Sequence, residues 1–217
     1  INFKNLNYSD GLGNGGVNAI EVDGKNIWLG SPNPVGRLTL YNGKSLKNFD
    51  IPNSNLYGMN IGSIKKDQNG KIWFTDANNG LFSYDGQDFT NFTIMNGLPS
   101  NEALDLFIDN NNEIWVTTNR GVAVFNGETF RTILDFNNDN ALNLDNVTAV
   151  IKSRDGVLFF GQGNRGIIVY DPTSLRNITK SDGFMRSPVS DIQFDKSNKL
   201  WFSSWWGQGL HQIENEK

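Results

Sequence analysis

The chain has 217 residues, a net charge of −4 with both signs scattered along it, one histidine and no cysteine. Without cysteine it can form neither disulfides nor a thiolate metal site, and a single histidine excludes a histidine-rich metal site. No basic block and no long apolar run occurs, which argues against nucleic acid, an anionic membrane and membrane insertion.

A strand that contains an aromatic residue recurs at nearly even intervals. The recurring aromatics are Trp28, Trp73, Trp115, Phe159 and Trp201, at spacings of 45, 42, 44 and 42 residues. A polar turn precedes each one, as in the stretch Asn69-Gly70-Lys71-Ile72-Trp73. A period in this range, built from short strands, is typical of a β-propeller blade. We expect these aromatics to be core residues packed between blades.

Taken in order, the repeats contain four predicted strands each, except the last, which contains three. The predicted strands are Val17–Val22, Asn26–Gly30, Arg37–Tyr41 and Leu46–Ile51; Ile61–Lys66, Lys71–Thr75, Leu81–Tyr84 and Phe89–Ile94; Ala103–Ile108, Glu113–Thr117, Val122–Phe125 and Phe130–Leu134; Val147–Lys152, Val157–Gly161, Ile167–Tyr170 and Leu175–Thr179; and Val189–Phe194, Lys199–Ser203 and Leu210–Ile213. Hairpin dipeptides such as Asn42-Gly43 and Asp85-Gly86 separate the third and fourth strands.

Residues 1–12 supply the strand that the fifth repeat lacks. They match the tail of the second repeat, with Phe3 at the place of Phe89, and Trp201 lies 44 residues from Trp28 when counted through both termini. A blade built from both ends would leave no open sheet edge. The sequence therefore predicts one all-β domain over residues 1–217, a monomeric five-bladed β-propeller of four-stranded antiparallel blades whose last blade is closed by the N-terminal strand.

The repeat resembles the two-component regulator propeller repeat. The shared order is Asp-Gly-Leu, a Val-x-x-Ile strand, Asp/Asn-Gly-x-Ile-Trp-Phe/Leu-Gly/Thr, then Gly-Leu-x-x-Tyr-Asp/Asn-Gly. The resemblance covers essentially the whole chain. It implies an extracytoplasmic, periplasmic or secreted, bacterial sensor propeller, related to ligand-binding and lyase propellers. The family usually has seven blades, whereas five are predicted here.

Five connections between second and third strands should lie on one face, which we name the loop face, together with the connections between blades. They span residues 31–36, 76–80, 118–121, 162–166 and 204–209, and each ends in glycine. Loops on a rigid scaffold commonly carry function. The predicted ligand-binding residues here are Trp205, Trp206, Arg120, Arg165, Asn119, Asn164, Phe184, Met185 and Arg186. The alternatives are that the tryptophans plug the channel mouth or pack on a neighbouring blade, and that Arg120 and Arg165 are solvated loop residues. Aromatic, amide and guanidinium groups suit a glycan, another small polar ligand or a peptide.

The alternatives are an enzyme and a structural assembly module. Asp105 and Asp191 occupy the same register of two innermost strands and could serve as acid and base of a glycoside hydrolase. Their other interpretation is hydrogen bonding to backbone or water in a polar channel. His211 has no recognisable nucleophile beside it in the sequence, and the run after Asp109 aligns with hairpin turns rather than with a calcium loop. We predict no catalytic residues, metal or cofactor, and a non-enzymatic binding or sensing propeller that recognises a glycan, another small polar ligand or a partner protein.

Overall fold

A computed structural model of the chain describes residues 5–12, 16–32, 36–51, 59–135, 147–163, 166–171, 174–178, 183, 188–204 and 209–213. Two short 3-10 turns, Tyr8–Asp10 and Ile94–Asn96, are the helical elements of this part, and no helix in it is long and apolar enough to cross a membrane. The remaining regular structure is β-strand. The predicted all-β, five-bladed β-propeller class is confirmed.

Each repeat forms its own antiparallel sheet, with strands ordered as in the sequence. The strands are β1 (Ala19–Asp23), β2 (Asn26–Gly30), β3 (Leu38–Tyr41) and β4 (Leu46–Asn48); β5 (Ile61–Lys66), β6 (Ile72–Asp76), β7 (Gly80–Tyr84) and β8 (Phe89–Phe92); β9 (Ala103–Ile108), β10 (Ile114–Thr118), β11 (Gly121–Phe125) and β12 (Phe130–Asp135); β13 (Val147–Lys152), β14 (Leu158–Gln162), β15 (Ile167–Asp171) and β16 (Ser174–Ile178); and β17 (Val189–Phe194), β18 (Leu200–Ser204) and β19 (Gly209–Ile213). The fifth sheet has three strands among the described residues. Its predicted fourth strand comes from the N-terminal segment, of which residues 1–4 lie outside them.

The predicted hairpin turns form because their first residue caps the turn. Asn42 accepts the backbone N–H of Lys44 and Ser45, each at 2.9 Å, and Asp85 does the same for Gln87 and Asp88. The glycine that follows each of them has a positive φ, 89° at Gly43 and 105° at Gly86. Glycine adopts this conformation without steric cost, which explains the Asn-Gly and Asp-Gly pairs.

The chain divides into two compact units, one of residues 1–96 and 101–106, the other of residues 97–100 and 107–217. In the first, Trp28, Phe49, Tyr84 and Phe89 form an aromatic cluster with ring centroids 4.5 to 6.0 Å apart. In the second, two apolar clusters are built from aliphatic and aromatic side chains, mainly of β10 to β19. Trp28, Trp73, Trp115 and Phe159 are buried, as predicted for core aromatics, whereas Trp201, predicted in the same way, is half-buried.

Neighbouring blades pack closely at glycines of the second strands. A Cβ added to Gly30 would lie 2.4 Å from Ile61 Cγ2, and one added to Gly161 would lie 2.5 Å from Val189 Cγ1. The hydroxyl of Thr148 also donates to the carbonyl of Val189 at 2.6 Å. The innermost strands β5, β13 and β17 each contain a bulge near their first residues, which shifts the register against the second strand. Such bulges re-aim side chains at a sheet edge.

Candidate functional site

In three blades, the side chain that ends the second strand braces the loop-face connection. Ser31, Asp76, Thr118 and Gln162 are polar yet fully buried there. The Asp76 carboxylate accepts the Asn78 N–H and the Asn79 side-chain amide, both at 2.9 Å, and Thr118 Oγ1 donates to the Gly121 carbonyl at 3.0 Å. Ser204 Oγ donates to Gly209 O at 3.4 Å. These bonds fix the loops from below, and in the two loops that the structure describes completely the tip residues Asn78 and Arg120 are exposed.

The glycine that ends each loop is required for two different reasons. Gly80, Gly166 and Gly209 have positive φ values of 93°, 106° and 89°, which L-residues with a side chain rarely adopt. Gly36 and Gly121 lack positive φ, but a Cβ at either would collide with a backbone carbonyl, that of Met59 or Leu134. The prediction that these glycines are structural agrees with both arrangements.

Two of the predicted ligand-binding residues lie in the described part of the loop face. Arg120 is exposed, and its backbone N–H donates to Thr118 Oγ1 at 3.2 Å. Asn119 is half-buried, and its Oδ1 is buried without a hydrogen-bond partner. A buried acceptor that lacks a donor is destabilising unless a water or ligand supplies one. The other predicted site residues lie outside the described residues: Asn164, Arg165, Phe184, Met185, Arg186, Trp205 and Trp206.

The two aspartates considered for acid–base chemistry share one local conformation. Asp105 Oδ1 accepts the N–H of Leu106 and Asp191 Oδ1 accepts the N–H of Ile192, each at 2.8 Å. Asp105 is half-buried and Asp191 is exposed. Each carboxylate thus has one oxygen engaged by the backbone of its own strand.

The only histidine lies beside a serine but in a structural role. His211 Nε2 is 3.1 Å from Ser204 Oγ, and the imidazole stacks on Phe202 with centroids 4.8 Å apart. Ser204 Oγ contacts the carbonyl of the loop glycine as Thr118 does in the third blade. Because the same bond recurs in a blade that has no histidine, the serine hydroxyl is explained by loop bracing.

The opposite ends of the blades, which we name the turn face, carry the β1–β2 type turns. Asp67 accepts the N–H of Asn69 and Lys71, and its second oxygen accepts Trp73 Nε1 at 2.9 Å. Asp195 makes the same set of bonds, including one from Trp201 Nε1 at 2.9 Å, and these bonds lower the pKa of its carboxyl. Asp67 and Asp195 therefore lie in hairpin turns, as the alignment of the repeats predicts. Among the residues that the structure describes, no group of side chains forms a metal-binding cluster.

In the first and third blades the turn aspartate has a different partner. Asp23 pairs with Lys66 at 2.6 Å and Asp109 with Lys152 at 2.7 Å, both lysines being the last residue of the next innermost strand. The Nε1 atoms of Trp28 and Trp115 are then left without a partner. Burial by itself raises the pKa of Asp109, but hydrogen bonds from Lys152 and from the backbone of the turn outweigh it, so the pKa lies below its usual value.

Comparison with known proteins agrees with this architecture. Residues 97–120 match the family described as two component regulator propeller. The match covers 24 of the 217 residues, and it lies in a stretch whose sequence resembles this repeat. Among curated proteins, none matches the chain.

Three solved structures illustrate the likeness of fold. The extracellular domain of the hybrid two-component system BT3049 from B. thetaiotaomicron matches with a TM-score of 0.72 and 22% identity, over 93% of this chain and 27% of that one. Virginiamycin B lyase from Staphylococcus aureus matches with 0.75 and 17%, over 98% and 70%. PorZ, a surface component of the type-IX secretion system of Porphyromonas gingivalis, matches with 0.65 and 17%, over 90% and 32%. The chain thus spans about a quarter of the first of these proteins, and at these identities the likeness establishes the fold.

Proposed function

We propose that the chain is a non-enzymatic binding or sensing propeller of an extracytoplasmic bacterial protein, and that its loop face recognises a glycan or another small polar ligand. The family of its repeats supports the sensing role, as does its likeness to the extracellular domain of a two-component system. Fold alone does not define function, so the argument depends on the loop face itself.

The observation that carries this proposal is the bracing of the loops. The buried polar residues Asp76 and Thr118 bond to the loops that follow them, and the tips beyond, such as Asn78 and Arg120, are exposed and differ between repeats. A rigid loop loses little conformational entropy when a ligand binds, which raises affinity. Different tips on braced loops are the arrangement expected of a recognition surface.

The chemistry of these tips suits a polar ligand. The exposed Arg120 guanidinium offers planar donors, and the half-buried Asn119 beside it brings a side-chain amide. Trp205 and Trp206 belong, by sequence, to the equivalent loop of the fifth repeat and would add flat apolar surface on which a sugar ring could stack. Directional polar groups with aromatic area are the usual composition of small-ligand sites.

A partner protein is the second candidate, and one observation favours it. Ile94 and Met95, in the 3-10 turn between β8 and β9, are 56% and 89% exposed. The turn is rigid, because Thr93 N–H donates to Asn96 Oδ1 and Ile94 N–H donates to Asn101 Oδ1, both at 2.9 Å. Two apolar side chains presented on a fixed loop are typical of a protein contact.

Replacing Trp205 or Arg120 by Ala should weaken ligand binding by about 1–3 kcal/mol with little change in stability, since stacking and charge-assisted hydrogen bonds have this magnitude. A glycan array and a thermal-shift screen would identify the ligand, and calorimetric titration would measure each variant. Lys196→Ala, which removes an exposed cation on the turn face, is the matched control for Arg120→Ala and should leave this affinity unchanged.

Other outcomes would redirect the assignment. Equal affinity of the wild type, Trp205→Ala and Arg120→Ala would remove the loop face as the site. Binding lost only on Met95→Ala, together with a protein partner, would favour the second candidate. Hydrolysis of a glycoside by the wild type, abolished by Asp105→Asn or Asp191→Asn, would contradict the non-enzymatic role.

A further inference from the structure

A cavity of about 400 Å³ lies on the turn face, between the β9–β10 turn and the β13–β14 turn. We name it the turn pocket. It is lined by Phe107, Asp109, Asn110, Asn111, Lys152, Ser153, Arg154, Asp155 and Gly156. Its volume is within the range of pockets that hold small molecules. Neither the sequence patterns nor the loop-face proposal accounts for it.

The inner part of the turn pocket is a satisfied ion pair. Lys152 Nζ is 2.7 Å from Asp109 Oδ2 and 3.8 Å from Glu113 Oε2, and it lies over the Trp115 ring at 5.2 Å from the centroid. Asp109 also accepts the N–H of Asn111 and Glu113. These groups hold each other in place and form a fixed floor.

The outer part offers groups that are open to a ligand. Asn111, Arg154 and Asp155 are exposed, and Arg154 has no salt bridge or hydrogen bond within the described ranges. A guanidinium supplies only donors, a carboxylate only acceptors and an amide both. The lining contains two positive charges and two negative charges, so its net charge is zero and it does not select for an ion of either sign. These charges belong to Lys152, Arg154, Asp109 and Asp155. Paired donors and acceptors with no net charge suit hydroxyl groups, each of which donates and accepts.

The third blade differs from the others at the wall of this pocket. Phe107 is the last residue but one of the innermost strand β9. The equivalent residues in the other blades are Glu21, Lys65, Ile151 and Gln193. The first two blades contain the same kind of ion pair, Asp23 with Lys66, but there Glu21 Oε1 accepts the Lys66 N–H at 3.1 Å. Phe107 replaces that backbone-bonded carboxylate with a half-buried aromatic ring that lines the cavity.

We propose that the turn pocket binds a neutral, polyhydroxylated ligand of the size of one sugar unit. The apolar face of the sugar packs on Phe107, and its hydroxyls bond to Arg154, Asp155 and Asn111. Aromatic area beside directional polar groups is the combination that such a ligand requires. The proposal is independent of the loop face, because all the residues it uses are on the opposite ends of the blades.

The test is a titration of the ¹⁵N-labelled chain with glucose, galactose, mannose and N-acetylglucosamine in turn, and with glucuronate as the anionic comparison. At least one neutral sugar should shift the amides of Asn111 and of Arg154–Gly156 saturably. Arg154→Ala should weaken that binding about tenfold or more, because it removes a charged donor. Lys196→Ala removes an exposed cation at the same turn position of the fifth blade and should have no effect.

Three results would overturn the proposal. These are the absence of saturable shifts at the turn pocket with every neutral sugar, equal effects of Arg154→Ala and Lys196→Ala, and tighter binding of glucuronate than of any neutral sugar. Shifts confined to Asn78 and Arg120 would also overturn it while supporting the loop face, so the two proposals can fail separately. An unchanged dispersion of the variants' spectra verifies that they are folded.

Discussion

Replacing Trp73 by Ala is expected to lower the free energy of unfolding by about 3–5 kcal/mol, the usual cost of a large-to-small change in a core. The indole is 2% exposed and stacks on Phe92, with centroids 5.4 Å apart. The change would also remove the Nε1–H that Asp67 accepts, leaving part of a buried carboxylate without its partner. Urea denaturation followed by circular dichroism measures the loss.

A matched pair of milder changes separates the hydrogen bond from the packing. Trp73→Phe loses the bond to Asp67, whereas Trp115→Phe loses none, because Trp115 Nε1 has no partner. The first should cost about 1.5–3 kcal/mol more than the second, the range for a hydrogen bond to a charged group. The fourth blade already combines Phe159 with Ser153 in place of the Trp–Asp pair. Equal costs at the two positions would contradict this account of the turn.

Gly161→Thr is the second change with a large expected effect, a loss of about 1–3 kcal/mol from overpacking. A side chain at this position has its Cβ 2.5 Å from Val189 Cγ1 and 2.9 Å from Val189 Cβ, so one of the two blades must move. The hydroxyl would add a polar group at a buried contact. Thermal and urea unfolding of the single variant give the cost directly.

The chain itself supplies the compensating variant. In the second blade the equivalent position is Thr75, and the strand that follows begins with Ala103 rather than with a valine. Gly161→Thr combined with Val189→Ala copies that pair, so the double variant should be more stable than the sum of the two single losses predicts. Strict additivity would mean that the contact between Gly161 and Val189 does not limit the approach of these blades.

The fold could be predicted because the same sequence signals recur in every repeat. The spacing of the aromatics, the Asn-Gly and Asp-Gly turns and the glycine before each third strand are local signals, and each has a local physical cause in the structure. Strand ends differ from the prediction by a few residues, as at β1, where pairing with β2 begins at Ala19 rather than at Val17. Such ends depend on hydrogen bonds that a sequence pattern does not specify.

Partners across repeats could not be predicted in the same way. Asp67 and Asp109 occupy the same place in the same turn, yet one bonds to a tryptophan of its own blade and the other to Lys152. The difference depends on the residue that ends the next innermost strand, which is Ile108 after Asp67 and Lys152 after Asp109. Asp109 and Lys152 belong to different repeats and to different positions of the repeat, so an alignment of the repeats does not pair them. Only the packing of neighbouring blades brings them into contact.

The loop-face site stays a prediction. Arg120 is exposed on a braced loop, and Asn119 beside it is half-buried. The turn pocket was missed because it combines two turns 43 residues apart, whose members are ordinary turn residues in the sequence. The one available signal was Phe107, an aromatic at a position where the other repeats have none.

Scanning calorimetry of the whole chain tests the central claim most directly, namely that five repeats form one propeller domain whose fifth blade uses both termini. The account predicts a single unfolding transition with equal calorimetric and van't Hoff enthalpies, and a lower Tm with aggregation when residues 1–9 are deleted, because the deletion exposes a strand edge. Two separate transitions, corresponding to the two compact units, would contradict it. So would a monomeric deletion variant with the melting temperature of the full chain.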